Sequence, residues 1–195
     1  SSGQRHVFAR YSGLSTAASV SSNGKVAMIL SKGGSPDVYA CNADGSGLLR
    51  LTSTREDESS PCWSPDGEWV CYATKVGGRR VLEKVRATGG APQRVSTPGT
   101  PSPSEPDWSP DGKWIAFTEQ LARDFQICVV PAGGGQVVEL VAGEDPSWAP
   151  NSRTLIYARR DSGGRRVLSL LDVPTKQYKD VSRITGSNSQ PSWAK

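Results

Sequence analysis

Residues Ser104 to Thr118 read SEPDWSPDGKWIAFT, and this stretch decides the fold. A short run ends at Trp108, Ser109-Pro110-Asp111-Gly112 makes a turn, and Trp114-Ile115-Ala116-Phe117-Thr118 starts a second run. Pro110 pre-sets one turn position, Asp111 can accept hydrogen bonds from the turn backbone, and Gly112 tolerates positive φ. Aromatic and β-branched residues follow at once, so the segment is expected to be a β-hairpin.

The same wording occurs upstream as SSPCWSPDGEWVCYAT, Ser59 to Thr74, and downstream in worn form as EDPSWAPNSRTLIYA, Glu144 to Ala158. A weaker copy, AASVSSNGKVAMILS, runs from Ala17 to Ser31, and SQPSWA opens another at Ser189. Val20, Trp63, Trp108, Trp148 and Trp193 thereby align at a spacing of roughly 40 to 45 residues, the period of a propeller blade or similar array.

Each full repeat holds four strand-like pieces. The spacing predicts them near 18–20, 26–30, 37–41 and 48–52 in the first repeat, and 62–64, 69–74, 80–85 and 93–96 in the second. The third gives 107–109, 114–119, 126–130 and 137–141; the fourth gives 147–149, 154–159, 167–172 and 178–182. Gly-rich turns such as Asp44-Gly45-Ser46-Gly47 and Ala132-Gly133-Gly134-Gly135 separate the last two strands, and Pro174-Thr175-Lys176 replaces them in the fourth repeat. Four antiparallel strands at this period describe an all-β protein, a β-propeller of four-stranded blades. The expected divisions are 1–13 (last strand of a preceding blade), four blades at 14–55, 56–100, 101–141 and 142–186, and 187–195 (inner strand of a closing blade).

Composition narrows the chemistry. The chain has 195 residues, a net charge of +4, four Cys and one His. Its Lys and Arg are scattered over loops, which favours a solvated surface over nucleic-acid binding. No apolar stretch is long enough for a membrane span. Cys41, Cys62, Cys71 and Cys128 lack metal-ligand spacing and are expected to be buried thiols, with a Cys62–Cys71 bridge as the alternative. His6 is expected to be surface decoration. The opening Ser1-Ser2-Gly3, without Met or a signal-peptide pattern, is expected to reflect processing or a tag remnant. Asp66 and Asp111 recur at the same turn of successive blades, so they are read as turn-bonding groups rather than an acid/base pair.

The words Pro61-Cys62-Trp63-Ser64-Pro65-Asp66-Gly67, Pro106 to Gly112, Val38 to Gly45 and Gly89-Gly90-Ala91-Pro92-Gln93-Arg94-Val95 resemble those of TolB-type propellers, over nearly the whole chain. The resemblance implies the carboxy-terminal four blades of a six-bladed ring, without the family's amino-terminal α/β domain and first two blades. It implies a non-catalytic periplasmic scaffold of the Tol–Pal system, binding the peptidoglycan-associated lipoprotein Pal at the channel mouth to support cell-envelope integrity. The alternative is the gating propeller of a prolyl-oligopeptidase-type serine peptidase. That enzyme needs a Gly-x-Ser-x-Gly elbow and a downstream His, and these residues spell no such elbow.

In a propeller, the residues just ahead of each inner strand line the mouth of the channel. Here these are Leu14 and Ala17, Ser59 and Ser60, Ser104 and Glu105, Glu144 and Asp145, and Ser189 and Gln190. The resemblance gives the matching positions the contacts to Pal. No cofactor is expected, although Glu105, Glu144 and Asp145 are an alternative oxygen-ligand set for a cation such as Ca²⁺. The outer faces of the end blades would expose several hundred Å² of apolar surface, on the order of 10 kcal/mol at about 25 cal/mol per Å². The missing blades or a second copy are therefore expected to cover them. A ring self-closed by Arg5–Tyr11 and Gln190–Ala194 would lack two middle strands.

Overall fold

The computed structural model describes residues 15–181, 186 and 188–193. Among these residues, sixteen strands form four separate antiparallel sheets, each a meander in which sequence neighbours pair. Blade 1 comprises β1 (Ser15–Val20), β2 (Lys25–Leu30), β3 (Asp37–Asn42) and β4 (Leu49–Arg50). Blade 2 comprises β5 (Ser59–Trp63), β6 (Trp69–Val76), β7 (Arg79–Arg86) and β8 (Gln93–Val95). Blade 3 comprises β9 (Pro103–Trp108), β10 (Trp114–Gln120), β11 (Phe125–Pro131) and β12 (Val138–Ala142). Blade 4 comprises β13 (Glu144–Trp148), β14 (Thr154–Arg160), β15 (Arg166–Asp172) and β16 (Gln177–Asp180). The all-β propeller architecture is thus observed, and among the described residues no helix is long and apolar enough to cross a membrane.

The turn that opens each hairpin is held as its residue types demand. Ser64 Oγ accepts the Trp69 N–H at 2.9 Å, Gly67 N–H donates to the Ser64 carbonyl at 2.9 Å, and Asp66 Oδ1 accepts the Glu68 N–H at 2.9 Å. Ser109, Gly112 and Asp111 repeat the arrangement in blade 3. The Ser64 hydroxyl and the Glu68 amide hold the Asp66 carboxyl below its ordinary range. In the worn copy, Asn151 Oδ1 takes over, accepting from Arg153 and Thr154 at 2.9 Å each.

Blades pack face to face through apolar middle strands. Val70, Tyr72 and Val85 meet Ala27, Ile29 and Val38 across one junction; Cys71, Ala73 and Leu82 meet Ile115, Phe117 and Val130 across the next. Ala116, Ile127 and Val129 meet Leu155, Tyr157 and Leu171 across the third. The repeated indoles Trp63, Trp108 and Trp148 are wedged into these three junctions at 6%, 6% and 1% exposure. Val20 holds the same place in blade 1 but is 66% exposed.

Two expectations need correction, where the inner strands start and how wet the outer faces of the end blades are. The inner strands start three or more residues before the predicted positions, at Ser15, Ser59, Pro103 and Glu144, because the segment ahead of each register break already pairs with the middle strand. The far face of blade 1 is not wet: Val26, Met28, Leu30, Tyr39 and Cys41 form a buried cluster. On the far face of blade 4, Ile156, Leu168 and Leu170 are half-buried. All four cysteines are buried thiols as expected, and Cys62 and Cys71 stand opposite each other in register without the alternative disulfide. Burial pushes the Cys128 thiol up to about 12. The segment Arg5–Tyr11, with His6, and the residue Leu14 lie outside the described residues.

Candidate functional site

The four inner strands stand side by side around one axis, in the order β1, β5, β9, β13. Each carries one irregularity at the same place. Pairing with the middle strand breaks between Thr16 and Ser19, between Ser59 and Cys62, opposite Ala116–Thr118 in β9, and between Glu144 and Ser147. At each break one residue takes a left-handed conformation: Ala17 at φ 49°, Ser60 at 52°, Glu105 at 51° and Asp145 at 57°. Gln190, in the fifth copy of the word, does the same at 51°. None of these is Gly or Asn, so each backbone costs roughly 1 kcal/mol that the surrounding sheet must hold. A bulge of this kind re-aims the side chains around it.

The four bulges and Gln190 converge on one channel pocket of about 310 Å³. Its walls are five three-residue segments, 17–19, 60–62, 105–107, 145–147 and 190–192, each with its left-handed residue first. Of the residues expected at the mouth, Ala17, Ser60, Glu105, Asp145 and Gln190 are brought together here. Their neighbours are not. The Ser104 hydroxyl donates to the Thr118 carbonyl at 3.2 Å within its own blade, and Glu144 pairs with Arg166 at 2.7 Å. Ser59 pairs with Ala73 inside the sheet, and Ser189 is exposed outside the pocket.

Polar contacts tie successive bulges together. Glu105 Oε2 accepts the Thr118 hydroxyl at 2.7 Å and the Asp145 N–H of the next blade at 3.2 Å. Asp145 Oδ2 accepts the Gln190 N–H at 2.9 Å. One residue past the Pro, Asp107 Oδ2 accepts the Trp148 N–H at 2.7 Å, and Ser147 Oγ accepts that of Trp193 at 3.4 Å. Reading the sequence missed Asp107 and Ser147 as channel residues. The signal was available, since they directly follow the Pro that the later copies share.

The electrostatics are one-sided. Glu105, Asp107 and Asp145 line the channel, and no Lys or Arg is among its described lining residues. Burial pushes the Glu105 carboxyl above its ordinary range, with the Asp145 and Glu144 charges adding to it and the Thr118 hydroxyl opposing. The surface therefore offers carbonyls, carboxylates and Pro rings to a polypeptide or a cationic group. As to a cation, Glu144 is turned to Arg166, and among the described residues no three His, Cys, Asp or Glu side chains group as a metal set.

Comparison with known proteins gives this geometry a family. The chain matches the family described as the TolB beta propeller domain over residues 1–195. It is 33% identical over 149 residues to the Tol-Pal system protein TolB of Bordetella pertussis, covering 73% of this chain and 34% of that protein. The crystal structure of TolB from Acinetobacter baumannii superposes with a TM-score of 0.84 at 24% identity, over 100% of this chain and 49% of that one. A puromycin hydrolase shares the fold at a TM-score of 0.64 and 22% identity, over 91% of this chain and 32% of that one. The chain thus spans half or less of the length of these relatives.

Proposed function

The chain belongs to the TolB β-propeller family, and from that membership we propose that it is a non-catalytic protein-binding scaffold whose channel mouth receives a Pal-like, peptidoglycan-associated lipoprotein in the periplasm. One observation carries the reading: five left-handed residues, one per repeat, meet on a single acidic channel. Strain that recurs at one functional surface, while the blade interfaces remain regular, is what a recognition surface built on a rigid scaffold looks like. The names of the curated relatives point to the Tol–Pal system. The serine-peptidase alternative draws on a likeness of fold, and the 195 residues contain no Gly-x-Ser-x-Gly elbow.

The test is a calorimetric titration against a Pal-like domain. Ser60→Trp, which fills the channel, is expected to weaken binding by about tenfold or more, equivalent to about 1.4 kcal/mol. Ser59→Trp, one residue away but off the channel, serves as the control. Unchanged affinity in Ser60→Trp would remove the channel from the interface.

A further inference from the structure

Blade 2 carries its arginines differently from the other blades. One rung of each ladder, at the same step from the start of the second strand, reads Met28–Tyr39–Arg50, Tyr72–Glu83–Arg94, Phe117–Cys128–Glu139 and Tyr157–Ser169–Asp180. The outermost position is thus an arginine in blades 1 and 2 and an acid in blades 3 and 4. Arg50 is paired with Asp37 at 2.5 Å, and Asp180 holds Arg159 through both oxygens at 2.7 and 2.6 Å. Arg94 forms no ion pair among the described residues. Glu83, opposite it on the ladder, instead accepts the Tyr72 hydroxyl at 3.0 Å.

The hairpins between second and third strands repeat the contrast. In blade 4 every arginine of that hairpin is engaged: besides Arg159, Arg165 meets Asp161 at 3.0 Å, Arg166 meets Glu144 at 2.7 Å, and Arg160 donates to the Gly164 carbonyl at 3.1 Å. In blade 2, Arg79 and Arg80 form no ion pair or hydrogen bond through their side chains among the described residues. Lys75 stands directly opposite Arg80 on the ladder. Like charges in that position destabilise a sheet, a cost that an anion beside them would offset.

Arg79, Arg80 and Arg94 meet around a pocket of about 370 Å³, closed on its other side by the loop 97–101, and no acid is among the lining residues. Arg79 and Arg94 are exposed and Arg80 is half-buried, so a solute can reach all three. The loop is a stiff wall. Pro98 and Pro101 fix their φ, Gly99 is left-handed at 82°, and Thr100 donates to the Thr97 carbonyl through its N–H at 3.3 Å and its hydroxyl at 2.8 Å. Guanidinium groups match phosphate oxygens with paired N–H donors, and three of them at one opening call for an anion with several oxygens and more than one charge.

We infer that this pocket of blade 2 binds a phosphomonoester, whose three terminal oxygens the guanidinium groups of Arg79, Arg80 and Arg94 share. The pocket is built on the outer strands β7 and β8 and shares no lining residue with the channel, so the inference stands independently of lipoprotein binding.

The experiment follows the arginine Nε–H signals by NMR during titration with glycerol 3-phosphate at pH 7.5, with glycerate as the carboxylate counterpart. Saturable shifts are expected at Arg79, Arg80 and Arg94 and not at the exposed Arg123, with the phosphate ester binding roughly tenfold or more tighter than glycerate. Arg94→Ser, at an exposed position outside the core, should weaken binding by about tenfold. Arg123→Ser, which removes the same charge elsewhere, should leave the affinity unchanged. Vesicles containing phosphatidic acid distinguish the sources: sedimentation of the chain with them, lost in Arg94→Ser, assigns the phosphate to a lipid headgroup, and binding of glycerol 3-phosphate alone assigns it to a soluble ester. Equal affinity for glycerate, absence of a saturable shift, or equal losses in Arg123→Ser and Arg94→Ser would overturn the inference.

Discussion

In the middle strands of blades 2 and 3, pairing with the third strand is unbroken, from Trp69 opposite Arg86 to Val76 opposite Arg79 and from Trp114 opposite Pro131 to Gln120 opposite Phe125. In the inner strands of the same blades, register slips at Ser60 and Glu105, and the backbone turns left-handed. The two regions are a few ångströms apart and are built by opposite rules. Unbroken alternation puts one apolar row on each face of the sheet, which maximises burial between blades. The slipped strands give up regularity and expose polar groups to a channel. Stability is concentrated in the junctions, and recognition in the bulges.

The largest effect should come from the regular region. Phe117 is fully buried between blades 2 and 3, so Phe117→Ala is expected to cost about 3–5 kcal/mol, read from the urea midpoint. A loss near that of a surface substitution would mean that the junctions are not where stability resides. Next comes the strut that joins the two regions. Asp107→Ala orphans the Trp148 N–H and is expected to cost about 1–3 kcal/mol.

Smaller effects separate the channel from the core by sign. Glu105 has a raised pKa in the fold, because burial disfavours its charge. Between its ordinary value of 4.5 and the raised one, the native state holds more protons than the unfolded chain, so this group makes stability fall as pH rises through that window. Glu105→Gln should therefore stabilise the fold at neutral pH, the gain shrinking as pH falls through that window and vanishing below 4.5 in thermal melts. Ala17→Gly, which relieves a left-handed alanine, should be the smallest change, a gain of a few tenths to about 1 kcal/mol. A clear loss there would contradict the strain assigned to the bulges.

The regular region was the legible one. Turn residues such as Pro110-Asp111-Gly112 and the aromatic run after them announce hairpins locally, and their recurrence announces blades. The bulges were not legible, because Ser60, Glu105 and Gln190 carry no glycine-like signature of positive φ. With the bulge unseen, both residues ahead of each Pro looked equivalent, and Glu144 could be set beside Asp145 although it turns to Arg166. The exposure of Val20 depends on what packs against blade 1, which no single repeat encodes.

Site-specific photo-cross-linking tests the channel assignment most directly. Benzoylphenylalanine placed at Gln190, on the channel, is predicted to cross-link a Pal-like domain, and the same group at Tyr178, exposed on the outermost strand of blade 4, is predicted to give only background. Cross-linking from Tyr178 with none from Gln190 would place the partner on the rim of the blade and contradict the account.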